Sequence, residues 1–219
     1  MSPLRIEKQG VVATVTLNRP EARNAFDESA IAALTKCFQG LSKERELRAV
    51  VVRGAGQDFC AGADIRWMRR ASGLAPVQSR KDAARLVAMC RTIDECPVPV
   101  IVRVHGACFG GGLGIVAACD IAVAADNAVM AFSECRLGIL PAVVSSFVLP
   151  KIGPGQARRY FLTGERFGAQ TARSIGLVHE TAPESELDAR VGAVLKNILA
   201  CGPAAVREAK ALIRRTAGL

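Results

Sequence analysis

A chain of 219 residues, half of them hydrophobic and 22% charged, is sized for one globular domain with a substantial core and is short for two. No run reaches the roughly 18 uncharged apolar residues that span a bilayer, and the opening MSPLRIEKQG lacks the apolar centre of a secretory signal, so a cytoplasmic protein with no membrane partner is expected. The net charge of +9 suits nucleic acid or an anionic small molecule; with only 5% aromatic residues, none interleaved with basic runs, and no zinc-finger or helix-turn-helix spacing, nucleic acid is the runner-up.

In chain order, residues 4–8 and 11–17 flank Gln9-Gly10 with alternating β-branched residues and read as a hairpin. After the loop NRPEARNAF, Asp27 is placed to cap a helix whose Ile31, Leu34, Phe38 and Leu41 recur at helical spacing. AVVVRG (49–54) is a short apolar strand, 79–93 a helix, VIVRV (100–104) a second strand and IAVAA (121–125) a third. Strands alternating with helices predict an α/β layered fold over 1–150. Beyond Pro150 helices dominate at 154–163, 169–175, 185–200 and 203–216, with one extended piece at 177–181, so 151–219 is expected to be a helical C-terminal portion.

The eight cysteines form no CxxC pair and mostly lie in apolar stretches, where a thiol acts as a small hydrophobe; with only two histidines, no metal site or disulfide framework is expected.

Two strand exits carry the chemistry. In HGACFGGGLGIVAACD (105–120), Gly110, Gly111 and Gly112 stand where a strand hands over to a helix, a turn without side chains whose amides sit at a positive helix end. Taken alone, three glycines equally suit close helix-to-sheet packing, and the spacing is neither GxGxxG nor GxxxxGK[ST]. The second exit is AVVVRGAGQDFCAGADIRWM (49–68), which leaves its strand through Cys60-Ala61-Gly62-Ala63 into a short helix with Asp64 in its first turn. Two such turns, each aiming one N–H at the same oxygen, make an oxyanion hole.

LNRPEARNAF (17–26), DFCAGADI (58–65), HGACFGGGLG (105–114) and FSECRLGILPA (132–142) resemble the ordered signatures of the crotonase superfamily, the enoyl-CoA hydratases and isomerases. FGGGLGIVAACDIAVA and ARRYFLTGERF (157–167) further resemble bacterial hydratases of the methylglutaconyl-CoA type. The resemblance implies a crotonase-like core of repeated ββα units, a CoA thioester as substrate, no tightly bound cofactor, and assembly as a homo-trimer or hexamer. It maps the oxyanion amides to Ala63 and Gly111 and a catalytic glutamate to Glu134. It places Ala61, Gly62, Asp64, Ile65 and Arg66 along the adenine and pantetheine path, with Ala22 and Arg23 on its other side and Gly110 and Gly114 beside the acyl group. Arg66, Arg69 and Arg70 are either CoA-phosphate ligands or a solvated basic face.

The pattern departs from the best-known hydratases at Gly114, where those carry a second glutamate. Hydration needs a base for water at Cβ and an acid for Cα, so a lone Glu134 must relay one proton. Isomerisation of the double bond needs only one glutamate and is the rival; a non-catalytic CoA-binding or nucleic-acid-binding scaffold is the third reading. Family members usually continue several tens of residues beyond the helix at 206–215, which implies a truncated or short variant here. Asp120 is expected to be a buried hydrogen-bonding residue, Asp94 and Glu95 to cap helix 79–93, Arg136 to be an ion-pair partner or a carboxylate clamp, and His105 to orient the glycine loop.

Overall fold

Strand β1 (Leu4–Gln9) reverses at Gly10, whose φ of +56° an L side chain rarely adopts, into antiparallel β2 (Val12–Leu17). From here on the structure is a computed structural model that describes residues 2–64, Trp67 and 76–218. Helix α1 (Glu28–Leu41) starts where Asp27 accepts the Ala30 N–H at 2.9 Å, and it buries the predicted Ile31, Leu34, Phe38 and Leu41.

β3 (Ala49–Gly54) pairs parallel with β2, and α2 (Pro76–Asp94) returns the chain to β4 (Val100–Val104). Two ββα units follow. In the first, β4 leads into β5 (Ala107–Phe109) and α3 (Gly111–Ala118); in the second, β6 (Ile121–Ala125) leads into β7 (Val129–Ala131), a 3-10 turn at Glu134–Leu137, and α4 (Ala142–Thr163). The longer strand of each unit joins a six-stranded sheet and the shorter joins a three-stranded one completed by β8 (Phe167–Gly168). After α5 (Ala169–Ser174), β9 (Glu180–Ala182) closes the large sheet in the order β1-β2-β3-β4-β6-β9. α6 (Leu187–Ala200) and α7 (Pro203–Ala217) complete the chain's helices among the described residues.

This is the expected α/β architecture of repeated ββα units, with differences of detail from the periodicity. The three-residue strands β5 and β7 are too short to show alternation. Helix is expected here only over 154–163, yet α4 runs from Ala142 and absorbs Pro150 and Pro154 with a kink at Gly153, φ +70°. The expected boundary at residue 150 therefore falls inside α4, whose Val144, Val148 and Ile152 join the same core cluster as Leu4 and Leu187. Among the described residues, no single helix is long and apolar enough to cross a membrane.

Asp94 and Glu95 do not cap their helix. Negative charge at a helix C-terminus is unfavourable, and both carboxylates pair with Arg214 of α7. The one buried residue of α7 is Lys210, which donates to Asp120 Oδ2 at 2.6 Å and to Val98 O at 3.2 Å; the same Asp120 oxygen accepts the Val100 N–H at 2.7 Å. Helix α7 is thus docked through ions, with Leu212 and Ile213 facing out. Removing one member of a buried pair strands the other. Lys210→Met should therefore lower stability by about 2–3 kcal/mol in urea unfolding, and adding Asp120→Asn should recover part of the loss.

Candidate active site

Beyond β3 the chain crosses to the small sheet: the Phe59 N–H donates to His105 O, the Cys60 N–H to Ala107 O, and the Phe109 N–H to Cys60 O at 2.9 Å. Three residues beyond Cys60, Ala63 forms a parallel bridge to Phe26, which donates to Gly62 O and accepts from Asp64 N–H, each at 2.8 Å. In such a bridge the flanking residues supply the bonds, so the N–H of Ala63 itself points to the other side. It meets no acceptor among the described residues.

The second turn begins where β5 ends. Gly110 adopts φ +47° and ψ −115°, a conformation reserved for glycine, and donates its N–H to Ala131 O at 3.0 Å. Of the three glycine amides expected to be free, Gly110 is therefore occupied by the β5–β7 ladder. The amides of Gly111 and Gly112 meet no acceptor among the described residues, and they open α3, whose dipole is positive there. At the other end Lys151 Nζ donates to Cys119 O at 2.6 Å, a cation on the helix C-terminus.

The two turns meet backbone against backbone. A Cβ on Gly112 would lie 2.9 Å from Cys60 O, and one on Gly62 would lie 3.2 Å from Phe109 O. Close packing and amide presentation are thus the same feature.

Over this junction stands Glu134, at the start of the turn after β7. β5 and β7 run parallel with Phe109 opposite Ala131, so the glycine turn and the Glu134 turn leave the sheet at the same edge. Glu134 Oε1 lies 3.2 Å from where a Gly110 Cβ would be; Oε2 is buried and unpartnered. Burial pushes the Glu134 carboxyl above the usual range, because water that would solvate the charge is excluded. A desolvated carboxyl with one oxygen unpartnered among the described residues, beside free amides, has the chemistry of a proton-transfer group next to an anion site.

The remaining expected residues divide. Arg23 and Ala61 are joined by the bond from Ala61 N–H to Arg23 O at 2.9 Å, and Ala22 ends the 3-10 turn at Pro20–Ala22, so these line one rim. The Arg23 guanidinium is engaged by Asp58 at 2.6 Å but remains more than half exposed. Asp64 Oδ1 accepts the Trp67 N–H three residues on at 3.4 Å, a bond of the capping kind. Ile65, Arg66, Arg69 and Arg70 lie outside the described residues. Arg136 packs against Gly164. His105 orients the other turn: its Nε2 faces Gly56 O at 2.9 Å and its Nδ1 faces Arg103 Nη1 at 3.0 Å, so Nε2 carries the proton. The Cys108 thiol is pushed well up by burial, unsuited to thiolate chemistry. Among the described residues, no three His, Cys, Asp or Glu side chains converge as metal ligands. A cavity of about 810 Å³, lined by Phe147, Lys151 and Lys210, lies at the opposite end of α3.

Gly114 is buried on the face of α3 that meets α4. A Cβ there would sit 2.9 Å from Val144 Cγ1 and 3.4 Å from Cys90 Sγ, so the position is filled by packing. Residues that the motifs did not single out prove central to the loop: buried Asn24, with φ 55°, accepts from Arg19 N–H and donates to Ala55 O and Asp58 O. The unusual φ of Asn24 is a signal a sequence offers only weakly, through the tolerance of Asn for left-handed backbone.

The profile of the enoyl-CoA hydratase/isomerase family matches residues 7–218. A putative enoyl-CoA hydratase/isomerase of Bacillus subtilis is 36% identical over 207 residues, spanning 93% of this chain and 78% of the relative. A short-chain-enoyl-CoA hydratase of Clostridium acetobutylicum is 33% identical over 212 residues, 96% of this chain and 80% of that protein. The crystal structure of an enoyl-CoA hydratase from Shewanella pealeana superimposes with a TM-score of 0.95 at 33% identity, covering 99% of this chain and 81% of the other. The chain belongs to the enoyl-CoA hydratase/isomerase family. It is an enzyme of the acyl-CoA hydratase class, in a family that also holds isomerases.

The contacts at Gly114 make a substitution there informative. Gly114→Ala should cost about 1–3 kcal/mol in chemical denaturation as the added methyl forces Val144 aside, and Val144→Ala in the same chain should relieve most of it.

Proposed function

We propose that this chain adds water to the double bond of a 2-enoyl-CoA thioester. The thioester oxygen accepts from the N–H groups of Ala63 and Gly111, and Glu134 moves the proton. The observation that carries the reading is Glu134 Oε2, buried and unpartnered among the described residues, with the carboxyl set against the glycine turn whose next amide is free. In the forward direction Glu134 takes a proton from water as the oxygen bonds to Cβ. Negative charge passes through Cα onto the thioester oxygen, where two amide donors are each worth about 3–4 kcal/mol of barrier. Glu134 then returns the same proton to Cα, so no second acid is needed at position 114. The CoA thioester is substrate, and the proposal includes no resident cofactor. The exposed guanidinium of Arg23 borders the entry, suited to a CoA phosphate.

A single carboxylate also suits isomerisation, in which Glu134 removes a proton at Cα of a 3-enoyl thioester and returns it at Cγ. The packing at Gly114 is the observation that favours this second reading. The resemblance of residues 109–124 and 157–167 to methylglutaconyl-CoA hydratases makes 3-methylglutaconyl-CoA the first branched substrate to try. We also infer a cytoplasmic homo-trimer or hexamer. Exposed Leu137, Ile139 and Leu140 after Glu134, and Leu212 and Ile213 on α7, supply apolar surface for contacts between copies; multi-angle light scattering tests the assembly.

The deciding assay is mass analysis of products from 2-enoyl, 3-enoyl and 3-methylglutaconyl thioesters. Gain of one water supports hydration, whereas double-bond migration alone transfers the assignment to the isomerase. Glu134→Gln should lower kcat by about 10²–10⁴-fold. Because the carboxylate is the base, kcat/KM of the native chain should rise with pH through a midpoint above the ordinary glutamate value.

The same burial has a thermodynamic sign. A glutamate whose folded pKa is raised favours the folded state below its unfolded pKa, and that contribution is lost as pH rises through the folded pKa. Glu134→Gln should therefore raise Tm at pH 7 relative to the native chain, with the gain vanishing as the pH falls below the ordinary glutamate range.

A further inference from the structure

One guanidinium ties together the three segments around the first amide donor. Arg19 Nη1 donates to Ala25 O at 2.6 Å and lies 3.0 Å from Asp27 Oδ2, while Nη2 lies 3.1 Å from Asp64 Oδ2. All three side chains are at least three-quarters buried. Ala25 and Asp27 flank Phe26, whose backbone grips Gly62 and Asp64 on either side of Ala63. Asp64 itself follows Ala63 directly. The peptide carrying the Ala63 N–H is thus held at both ends by Phe26, and Arg19 fixes both Phe26 and Asp64.

The anchor is itself fixed. Arg19 N–H donates to Asn24 Oδ1 at 2.9 Å, and Asn24 N–H donates back to Arg19 O at 2.8 Å. Without the guanidinium, Asp27 and Asp64 would face each other as like charges in a partly desolvated gap, and their repulsion acts on the residue next to Ala63. A lysine keeps the charge but is a single point; only the planar fork reaches a carbonyl and two carboxylates at once.

We propose that Arg19 is a positioning residue that aims the Ala63 N–H at the thioester oxygen, an inference that rests on the oxyanion reading of this site. It touches no substrate. Its contribution is orientation, which matters because a donor misdirected by about 1 Å forfeits on the order of 10²-fold in rate.

The test uses Arg19→Lys, Arg19→Met and Asp64→Asn in the full chain, with two readouts. Steady-state kinetics should show kcat down by about 10- to 100-fold with KM changed by less than about 3-fold, because the interaction is made in the transition state. A bound enoyl-CoA carrying ¹³C at the thioester carbonyl, held in a Glu134→Gln background, should show its infrared carbonyl band shifted down in the otherwise native chain and returned toward its free position in each variant. Native kcat and an unchanged carbonyl shift, with only Tm lowered, would overturn the proposal, as would a rise in KM alone. Should the Arg19 variants fail to fold, Asp64→Asn, which keeps the side-chain volume, decides by the same readouts. If the Glu134→Gln parent binds the thioester but shows no carbonyl shift, the oxyanion reading itself falls and takes the Arg19 proposal with it; a normal shift in parent and variants alike removes only Arg19.

Discussion

The hydrogen bond from Gly110 N–H to Ala131 O is the join on which the site depends. It continues the parallel β5–β7 ladder one step past Phe109, so two chains that have run side by side diverge from a common edge. One becomes the amide-presenting turn of α3 and the other becomes the Glu134 turn. Ligand sites at the carboxyl ends of parallel strands arise this way in open α/β folds. Here the consequence is specific: Glu134, the proposed acid-base group, and Gly111, one proposed anion donor, come from consecutive ββα units. Their separation is fixed by strand register and is independent of any long loop.

The second donor comes from a different kind of support. Ala63 lies beyond a strand exit, and its orientation is assembled from a main-chain bridge to Phe26 and side-chain ties through Arg19. A parallel tie serves the other turn, since Asp58 accepts both the Arg23 guanidinium and the Ala107 N–H at the start of β5. The loop between β2 and α1 therefore braces both amide turns through Arg–Asp pairs. The guanidinium holds the Asp58 carboxyl below the usual carboxylate range, which keeps it ionised as an acceptor. Glu134 is the reverse case, a carboxyl whose Oε2 is buried without a partner among the described residues.

Much of this was legible in the chain because the relevant signals are local. The Gln9-Gly10 turn, the Asp27 cap and the 3.6-residue spacing of Ile31, Leu34 and Phe38 each specify their own structure within a few residues. The two small-residue strand exits were equally visible, since only residues without bulk fit where Cys60 O and Phe109 O approach the opposing glycines within 3.2 Å of a Cβ. What stayed hidden was whatever depends on distant partners. Strands of three residues carry no period, a proline pair reads as a helix break whether the chain stops or merely kinks, and the Arg19–Asp64 bond spans 45 positions that no spacing rule connects. Asp94 and Glu95 illustrate the same limit: at a helix end they look like caps, and only the arrival of Arg214 from α7 gives them another role.

Gly114 shows how packing can decide chemistry. Helix α3 must lie close to α4 because its Leu113, Ile115 and Val116 are fully buried, and the glycine lets Val144 approach to within contact of its backbone. A carboxylate at that position would need both the space Val144 holds and a polar path that the Cys90 and Val144 surfaces do not offer. The close helix contact and a second acid at position 114 are therefore alternatives for one volume. With that volume filled by apolar packing, the hydration proposed for this site has Glu134 as its one proton carrier, and an addition of that kind places water and Cα on the same side of the double bond, within reach of one carboxylate.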